Sequence, residues 1–289
     1  MITFKRILFP VDFSDQCRAV IPCVKGMAER FDAELVLLHV LDLPQSWFGS
    51  PEAAAWAALI NADRLRVQGK VAMDRFLAQE FSGMRVMGQV AEGDAALQIA
   101  DFAQDDSIDL IMLPTHGYGP FRALLLGSVS AKVLHDAHCP VWTGVHATQM
   151  TAHPPDRWKH MLCALDTDIR DAGVLKWASE FAQEQRTELR LVHAVRGADP
   201  LNGENDPAFY HFLFDTAREQ IAKLQAQAGT NLDVCLMGGS AGLVVHKAAV
   251  GHAVDLIIIG RGTIQKPLGR LKSTAYSIIR EAPCPVISI

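Results

Sequence analysis

The sequence lacks the features that mark several large classes of protein. It has no run of about 18 consecutive apolar residues, which a membrane-spanning helix needs, so we expect no membrane partner. Its N-terminal stretch reaches Asp12 too soon to contain the apolar core of a secretory signal. Positive charge is not in excess either, because 27 Lys and Arg face 32 Asp and Glu, for a net charge of −5. We therefore expect no nucleic-acid partner.

Cysteine is sparse and the best-known catalytic motifs are missing. The six cysteines form neither a CxxC pair nor the dense pattern of a disulfide scaffold, which predicts a reduced, cytoplasmic protein. The G-x-S-x-G nucleophile elbow, the GxxxxGK[ST] phosphate loop and a GxGxxG after a first strand are all absent. The sequence therefore gives no support to the common hydrolase, P-loop and dinucleotide-dehydrogenase chemistries.

The chain contains an internal sequence repeat. His39 in LVLLHV and His193 in LRLVHA are 154 residues apart, and Cys139 in AHCPVW and Cys284 in APCPVI are 145 apart. The matching segments keep their order, and 289 residues suit two domains of about 150. We therefore expect three units, namely a first domain at 1–148, a linker with two prolines at 149–157, and a second domain at 158–289.

Each copy alternates short apolar runs with longer amphipathic segments, which is typical of β-α units around a parallel sheet. The strands read as continuous apolar runs, as strands covered on both faces do. We expect a doubly wound α/β fold with five parallel strands per copy. The predicted helices are 15–31, 52–81, 94–104 and 128–137 in the first copy and 168–184, 206–228, 241–252 and 273–281 in the second. Pro22 is expected to kink the first helix or to end it early.

The segment PTHGYGPFRALLLGS, from Pro114 to Ser128, lies after a strand and before a helix, where open parallel sheets bind ligands. The first N–H groups of that helix, with the positive end of its dipole, form an anion site. Gly127 would let a phosphate approach the backbone, and the Ser128 hydroxyl could cap the helix or donate to a phosphate oxygen. The alternative is an ordinary strand-to-helix turn, which uses the same residue types.

The spacing of Gly117, nine further residues and Gly127-Ser128 resembles the nucleotide loop of the universal stress protein family, G-x2-G-x9-G-S/T. Three other family features are present, at Asp12 after the first strand, His39-Val40 at the end of the second, and Gly93-Asp94 before the third helix. The resemblance covers both copies and implies two tandem domains of the adenine nucleotide alpha hydrolase-like fold. It also implies that these domains join through their last strands as an internal pseudo-dimer.

The resemblance implies ATP or a related adenine nucleotide as the ligand, with Mg²⁺, in a family that also has members without ATP. Carried over residue by residue, the site would comprise Val11, Asp12 and Val40 at the base and ribose, Leu113, Pro114, His116 and Gly117 at the ribose and phosphates, and Gly127, Ser128 and Val129 at the phosphate tail. Pro114 departs from the family, which has glycine there, so one backbone N–H is missing. If that N–H donates to a phosphate, its loss weakens ATP binding about tenfold to a hundredfold.

The second copy departs further from the family loop. In GRGTIQKPLGRLKS the glycine before the serine has become Lys272, whose side chain would occupy the phosphate space. We therefore do not expect this copy to bind ATP in the family manner. Its loop carries four cations, Arg261, Lys266, Arg270 and Lys272. They could serve another anion or an acidic partner surface, and a solvated basic loop is the other interpretation.

Several chemically suggestive residues also have structural explanations. Asp12 and Asp166 end their first strands without a partner acid or base, so ligand orientation is preferred to catalysis. The H-x2-H-C group of His135, His138 and Cys139 lacks a fourth ligand and a counterpart in the second copy, so we expect no metal site.

Two further groups of residues are open to two interpretations. His39 and His193 lie in apolar strands, where a bond to the backbone is commoner than catalysis. Trp47, Phe48 and Trp56 fall in a longer insertion of the first copy, where they either shape a pocket lid or pack under a loop.

The sequence leaves three functional hypotheses. The first is a stress-response regulatory protein that binds an adenine nucleotide or other small anionic ligand in the first copy and acts through a protein partner. It hydrolyses ATP slowly and incidentally at most, and a homodimer of the pseudo-dimer stays open. The second is a non-nucleotide interaction or small-ligand-sensing module, which Pro114 and Lys272 favour. The third is a nucleotide hydrolase, for which the sequence offers no identifiable general base or metal pair.

Overall fold

The structure is a computed structural model that describes residues 2–41, 51–114, 126–144, 158–168, 170–198, 207–261 and 273–289. The side chains of 51–62 and of residue 273 are outside this description. The predicted linker, 149–157, also lies outside the described residues, so the boundaries of the two domains stay a prediction.

The described part of the chain alternates strands and helices from beginning to end. The first half comprises β1 (Arg6–Pro10), α1 (Asp15–Phe31), β2 (Glu34–Leu41), α2 (Pro51–Glu80), β3 (Val86–Glu92), α3 (Ala95–Asp105), β4 (Leu110–Leu113), α4 (Ser128–Asp136) and β5 (Val141–Thr143). The second half comprises β6 (His160–Ala164), α5 (Asp171–Glu184), β7 (Glu188–Val195), α6 (Pro207–Ala228), β8 (Val234–Gly238), α7 (Ala241–Gly251), β9 (Leu256–Ile259), α8 (Ser273–Glu281) and β10 (Val286–Ser288). The predicted α/β fold with five strands per copy is confirmed. Among the described residues, no helix has both the length and the apolar character that crossing a bilayer requires.

The ten strands form a single sheet in the order β3-β2-β1-β4-β5-β10-β9-β6-β7-β8. Neighbouring strands are parallel within each half, and β5 and β10 are antiparallel, with Trp142 opposite Ile287. The predicted pairing through the last strands is therefore confirmed, and it joins the two five-stranded sheets into one. The strand order reverses beside β1 in the first half and beside β6 in the second, which places a ligand crevice at each point.

Helices cover both faces of the sheet, and each face has its own core. One core is built on α1, α2, α5 and α6, and the other on α3, α4, α7 and α8. Each core takes residues from both halves of the chain, as where the rings of Phe4 and Phe181 meet with centroids 5.8 Å apart. Because burying one large apolar side chain contributes about 1.5–3 kcal/mol, a shared core holds the two halves together.

The duplication extends to the aspartates that bind the first backbone N–H groups of β1 and β6. Oδ2 of Asp109 accepts a hydrogen bond from the N–H of Arg6 at 2.9 Å, at the start of β1. Oδ2 of Asp255 accepts the equivalent bond from the N–H of His160 at 3.0 Å, at the start of β6. The repeated sequences DLIML and DLIII therefore perform the same structural task in each half.

Helix α1 contains Pro22 and nevertheless continues to Phe31, so the predicted early end is wrong. Proline removes one backbone hydrogen bond from a helix interior. Buried side chains on either side of it, including Ile21 and Val24, pack into the core and hold the helix in place. Tertiary packing outweighs local propensity at this position.

Helix α8 packs closely against α7 at Gly242. A Cβ added to Gly242 would lie 2.8 Å from the backbone oxygen of Ser277, closer than real side-chain contacts allow. We expect Gly242→Ala to lower the free energy of unfolding by about 1–3 kcal/mol in urea denaturation, because overpacking outweighs the higher helix propensity of alanine. The matched control is Gly251→Ala in the same helix, where a Cβ would meet nothing within 4 Å. Equal effects of the two substitutions would contradict this explanation.

Candidate functional site

A cavity of about 250 Å³, the first crevice, opens at the carboxyl ends of β1 and β4, where the strand order reverses. Eight of the predicted site residues line it together, namely Val11, Asp12, Val40, Leu113, Pro114, Gly127, Ser128 and Val129. The other two, His116 and Gly117, lie outside the described residues. The first crevice thus gathers the described members of the predicted site from β1, β2, β4 and α4.

The N-terminus of α4 faces the first crevice without a side-chain cap. Its N-cap residue is Gly127, which has no side chain, and Ser128 is already the first helical residue, so of the two roles considered for the Ser128 hydroxyl the capping role is not found. Helices α1 and α3, by contrast, are capped by Ser14 and Asp94. Within the described residues no side chain caps this helix start, so the first N–H groups of α4 and the positive end of its dipole form a potential anion site.

Gly127 matters for the space that it leaves rather than for its backbone angles. Its φ of −57° and ψ of 143° are accessible to any residue. The missing side chain opens the start of α4 to a close approach by a ligand.

Asp12 is held in place by its own turn at the end of β1. Its Oδ1 accepts hydrogen bonds from the N–H of Ser14 at 3.0 Å and from the Ser14 hydroxyl at 2.6 Å. Phe13, between them, has a φ of 61°, which lets the chain turn from the strand into α1. A carboxylate fixed in this way is suited to accept hydrogen bonds from a ligand hydroxyl.

The two repeated histidines bond to the backbone, as predicted. Nδ1 of His39 lies 2.8 Å from the carbonyl oxygen of Val11, and Nδ1 of His193 lies 2.8 Å from that of Leu165. Because a carbonyl oxygen only accepts, Nδ1 carries the proton in both rings. Each histidine therefore ties the second strand of its half to the end of the first strand, at the floor of the crevice.

Pro114 is anchored to α4 although it lacks an N–H group. Its carbonyl oxygen accepts a hydrogen bond from the Ser130 hydroxyl at 3.1 Å. The carbonyl oxygen of Leu113, just before it, accepts a bond from the N–H of Gly144 at 3.0 Å. The end of β4 is thus fixed beside the start of α4, and the missing donor at Pro114 lies on the wall of the first crevice.

A larger cavity of about 800 Å³, the second crevice, occupies the equivalent place at the carboxyl ends of β6 and β9. Helix α3 and the end of α4 from the first half also line it, for example at Gln104 and Asp136. The two crevices therefore differ in size and in the share that each half contributes, although they arise from one duplicated domain.

Arg196 crosses the second crevice. Its Nη2 donates to Oδ1 of Asp166 at 3.0 Å and to Oγ1 of Thr274 at 3.0 Å, so it joins the end of β6 to the start of α8. The first half has Asp42 and Val129 at the positions of Arg196 and Thr274. Sequence reasoning missed this bridge, and the available clue was the pair of differences between the copies at positions beside the crevice.

Arg261, one of the four cations of the basic loop, is held by backbone carbonyl oxygens and also lines the second crevice. Its guanidinium is buried and donates to the carbonyl oxygens of Ala137 at 2.8 Å, Cys139 at 2.9 Å and Leu134 at 3.4 Å. This burial lowers the pKa of the guanidinium from its ordinary value. Arg261 thus stabilises the C-terminus of α4 from the opposite half of the chain.

The remaining cations of that loop, Lys266, Arg270 and Lys272, lie outside the described residues. So do Trp47 and Phe48 of the longer insertion, together with the side chain of Trp56. Their predicted roles stay predictions.

The H-x2-H-C group does not form a metal centre within the described residues. Nδ1 of His135 is hydrogen-bonded to the carboxylate of Asp136. Burial raises the pKa of the Cys139 thiol to about 11. In the part of the chain that the structure describes, no three His, Cys, Asp or Glu side chains are placed to hold a metal ion.

Comparisons with known proteins agree with the duplicated architecture. The model of the universal stress protein family matches residues 3–143 and again 157–289. A universal stress protein of Methanocaldococcus jannaschii is 31% identical over 140 residues, which are 48% of this chain and 80% of that protein. One from Thermus aquaticus is 30% identical over 141 residues, 48% of this chain and 96% of its own.

Among solved structures, the crystal structure of a universal stress protein from Archaeoglobus fulgidus has a TM-score of 0.63 and 20% identity. The alignment covers 100% of this chain and 97% of that one, and at this identity it supports the fold alone. The chain belongs to the universal stress protein family and carries the family domain twice.

Proposed function

We propose that this chain is a stress-response regulatory protein that binds ATP or a related adenine nucleotide in the first crevice, one nucleotide per chain. The observation that carries the proposal is the meeting of eight family-site residues in one cavity, beside a helix start that has no side-chain cap. A helix N-terminus of this kind offers backbone N–H groups and a positive dipole end to phosphate oxygens.

The roles within the first crevice follow from the groups that each residue presents. Backbone groups of Val11 and Val40 would contact the adenine, and the fixed carboxylate of Asp12 would accept hydrogen bonds from the ribose hydroxyls. The phosphate tail would lie over Gly127 and Ser128, where Mg²⁺ would accompany it. The cavity of about 250 Å³ is somewhat smaller than the roughly 300–1,000 Å³ typical of small-molecule sites. We therefore expect the tail to extend beyond it, toward residues 115–125.

Two observations argue against this role for the second crevice. Arg196 bridges Asp166 and Thr274, which are the counterparts of two residues proposed to contact the nucleotide in the first crevice. The sequence also places Lys272 where the first copy has Gly127. ATP in the second crevice would have to displace the bridge and share its space with the lysine side chain.

A second candidate function is the sensing of a non-nucleotide ligand. Two observations favour it: the donor missing at Pro114, and the size of the second crevice, about 800 Å³. In either case binding would alter the surface presented to a regulatory protein partner. The two functions differ in whether the first crevice recognises phosphate.

Replacing Pro114 separates the two candidates. We expect Pro114→Gly to tighten ATP binding about tenfold to a hundredfold in isothermal titration calorimetry, because it restores a backbone donor beside the phosphate tail. Adenosine, which has no phosphate, serves as the control ligand and should show an unchanged Kd. An unchanged Kd for ATP would favour the non-nucleotide function. Absence of adenine-nucleotide binding by the parent protein at millimolar concentration would reject the nucleotide proposal altogether.

A further inference from the structure

One side chain of the second half reaches the nucleotide loop of the first. The hydroxyl oxygen of Tyr276, in α8, accepts a hydrogen bond from the backbone N–H of Leu126 at 3.1 Å, across 150 residues of sequence. Leu126 directly precedes Gly127, the N-cap residue of α4. The backbone that enters the proposed phosphate site is therefore held by a residue from the other half of the chain.

We call the hydrogen bond between Leu126 and the Tyr276 hydroxyl the tether. It holds a backbone segment whose side chain is also packed in the core. The side chain of Leu126 is 7% exposed and lies in the core on the α3 and α4 face of the sheet. On the other side of the α4 start, the Ser130 hydroxyl bonds to the carbonyl oxygen of Pro114. The first N–H groups of α4 lie between these two fixed points, so their direction depends on both.

Tyr276 lies in the first turn of α8, where Thr274 makes two hydrogen bonds. Oγ1 of Thr274 accepts a hydrogen bond from Arg196, and the carbonyl oxygen of Thr274 accepts one from the Ser277 hydroxyl at 2.9 Å. A tyrosine on such a base keeps its hydroxyl in one place with little further loss of side-chain freedom.

The sequence of the first half has no tyrosine at the position that corresponds to Tyr276. The first half has Ala131 at the position that corresponds to Tyr276, and alanine has no group that could reach the other half in this way. This difference between the halves accompanies a second one, Gly127 in the first half against Lys272 in the second. The tether therefore acts on the half whose loop keeps the glycine. A hydrogen bond needed only for the fold of the duplicated domain would be expected in both halves.

We propose that Tyr276 is a positioning residue for nucleotide binding in the first crevice: through Leu126 it sets the direction of the N–H groups that receive the phosphates. The inference rests on the proposed function. It adds that the second half, which is not expected to bind ATP, completes the site of the first.

Tyr276→Phe tests the inference, because it keeps the ring and removes the acceptor. We expect the Kd for ATP to rise about threefold to tenfold, the effect of one misplaced backbone donor, while the Kd for adenosine stays unchanged. Amide hydrogen exchange followed by NMR provides a readout that needs no nucleotide. In the variant, the Leu126 amide should exchange at least about tenfold faster, since its bonded partner is gone. Arg280→Ala, in the same helix, removes a hydrogen bond to Glu281 and none to Leu126, so it is the control and should change neither quantity.

Each outcome either supports the inference or overturns it. A weaker Kd for ATP alone, with faster exchange at Leu126, supports it. Equal Kd values for ATP in parent and variant overturn it and leave the proposed function intact. An equal loss for ATP and adenosine indicates general loosening of the site and also overturns it, as does unchanged exchange at Leu126. If the parent binds no ATP, the proposed function fails and the inference fails with it.

Discussion

Arg261→Ala is expected to lower the free energy of unfolding by about 2–4 kcal/mol. The buried guanidinium donates to the carbonyl oxygens of Leu134, Ala137 and Cys139, and a hydrogen bond to a charged group contributes about 1.5–3 kcal/mol. The loss also removes a positive charge from the C-terminus of α4, where the helix dipole favours one. The net loss is smaller than the sum of three bonds, because burying the guanidinium is itself costly.

Urea denaturation of parent and variant, followed by circular dichroism, measures this effect. The control is Arg218→Ala, which removes an exposed arginine paired with Asp215 at 2.7 Å on the surface of α6. Exposed pairs of this kind contribute at most about 1 kcal/mol, so the control should stay close to the parent. A loss below about 0.5 kcal/mol for Arg261→Ala would show that the contact between the halves is not a main source of stability.

Gly127→Lys is expected to weaken ATP binding more than a hundredfold. The substitution places in the first half the residue that the second half has before its helix. Its side chain would fill the space over the first N–H groups of α4, which the phosphates are proposed to occupy. The φ and ψ of Gly127 are accessible to lysine, so the variant should fold and its stability should stay close to that of the parent.

Isothermal titration with ATP measures the affinity of each variant. A second variant, Gly127→Met, separates the bulk of the lysine side chain from its positive charge. Methionine fills a similar space without a charge, so a comparable loss in both variants identifies occupied space as the cause. If either variant binds ATP as well as the parent does, the phosphates do not lie at the start of α4.

Much of the fold could be predicted because the sequence repeats it. Continuous apolar strands and amphipathic helices appear twice in the same order, and the structure has the corresponding elements. The pairing of β5 with β10 was expected from the family resemblance and from two apolar C-terminal segments. Of the two effects expected from Pro22, the early end of α1 is not found, because the rule for proline is local whereas α1 is held by the buried side chains around it.

The composition of the first crevice was also accessible from the sequence. The family resemblance predicted its residues, and the convergence of residues at the carboxyl ends of neighbouring parallel strands explains why Asp12 and Pro114 line the same crevice. The bonds of His39 and His193 to the backbone followed from their apolar strands. Local pattern was sufficient for these two histidines.

The contacts between the halves could not be predicted from either copy alone. Arg261 and Tyr276 act on α4 and Leu126 over separations of more than 100 residues, and no periodicity reports such contacts. Arg196 likewise acts across a crevice rather than along a strand. All of them lie where chain geometry, not local sequence, decides which groups meet. In a duplicated chain, positions where the copies differ beside a crevice are therefore the places to look for such contacts.

The central claim is that one nucleotide binds per chain, in the first crevice. Native mass spectrometry of the full chain with added ATP counts bound nucleotides directly and compares the parent with Gly127→Lys. We expect the parent to carry one adenine nucleotide per chain and the variant to carry none. Two nucleotides per parent chain, or none at millimolar ATP, would contradict the claim.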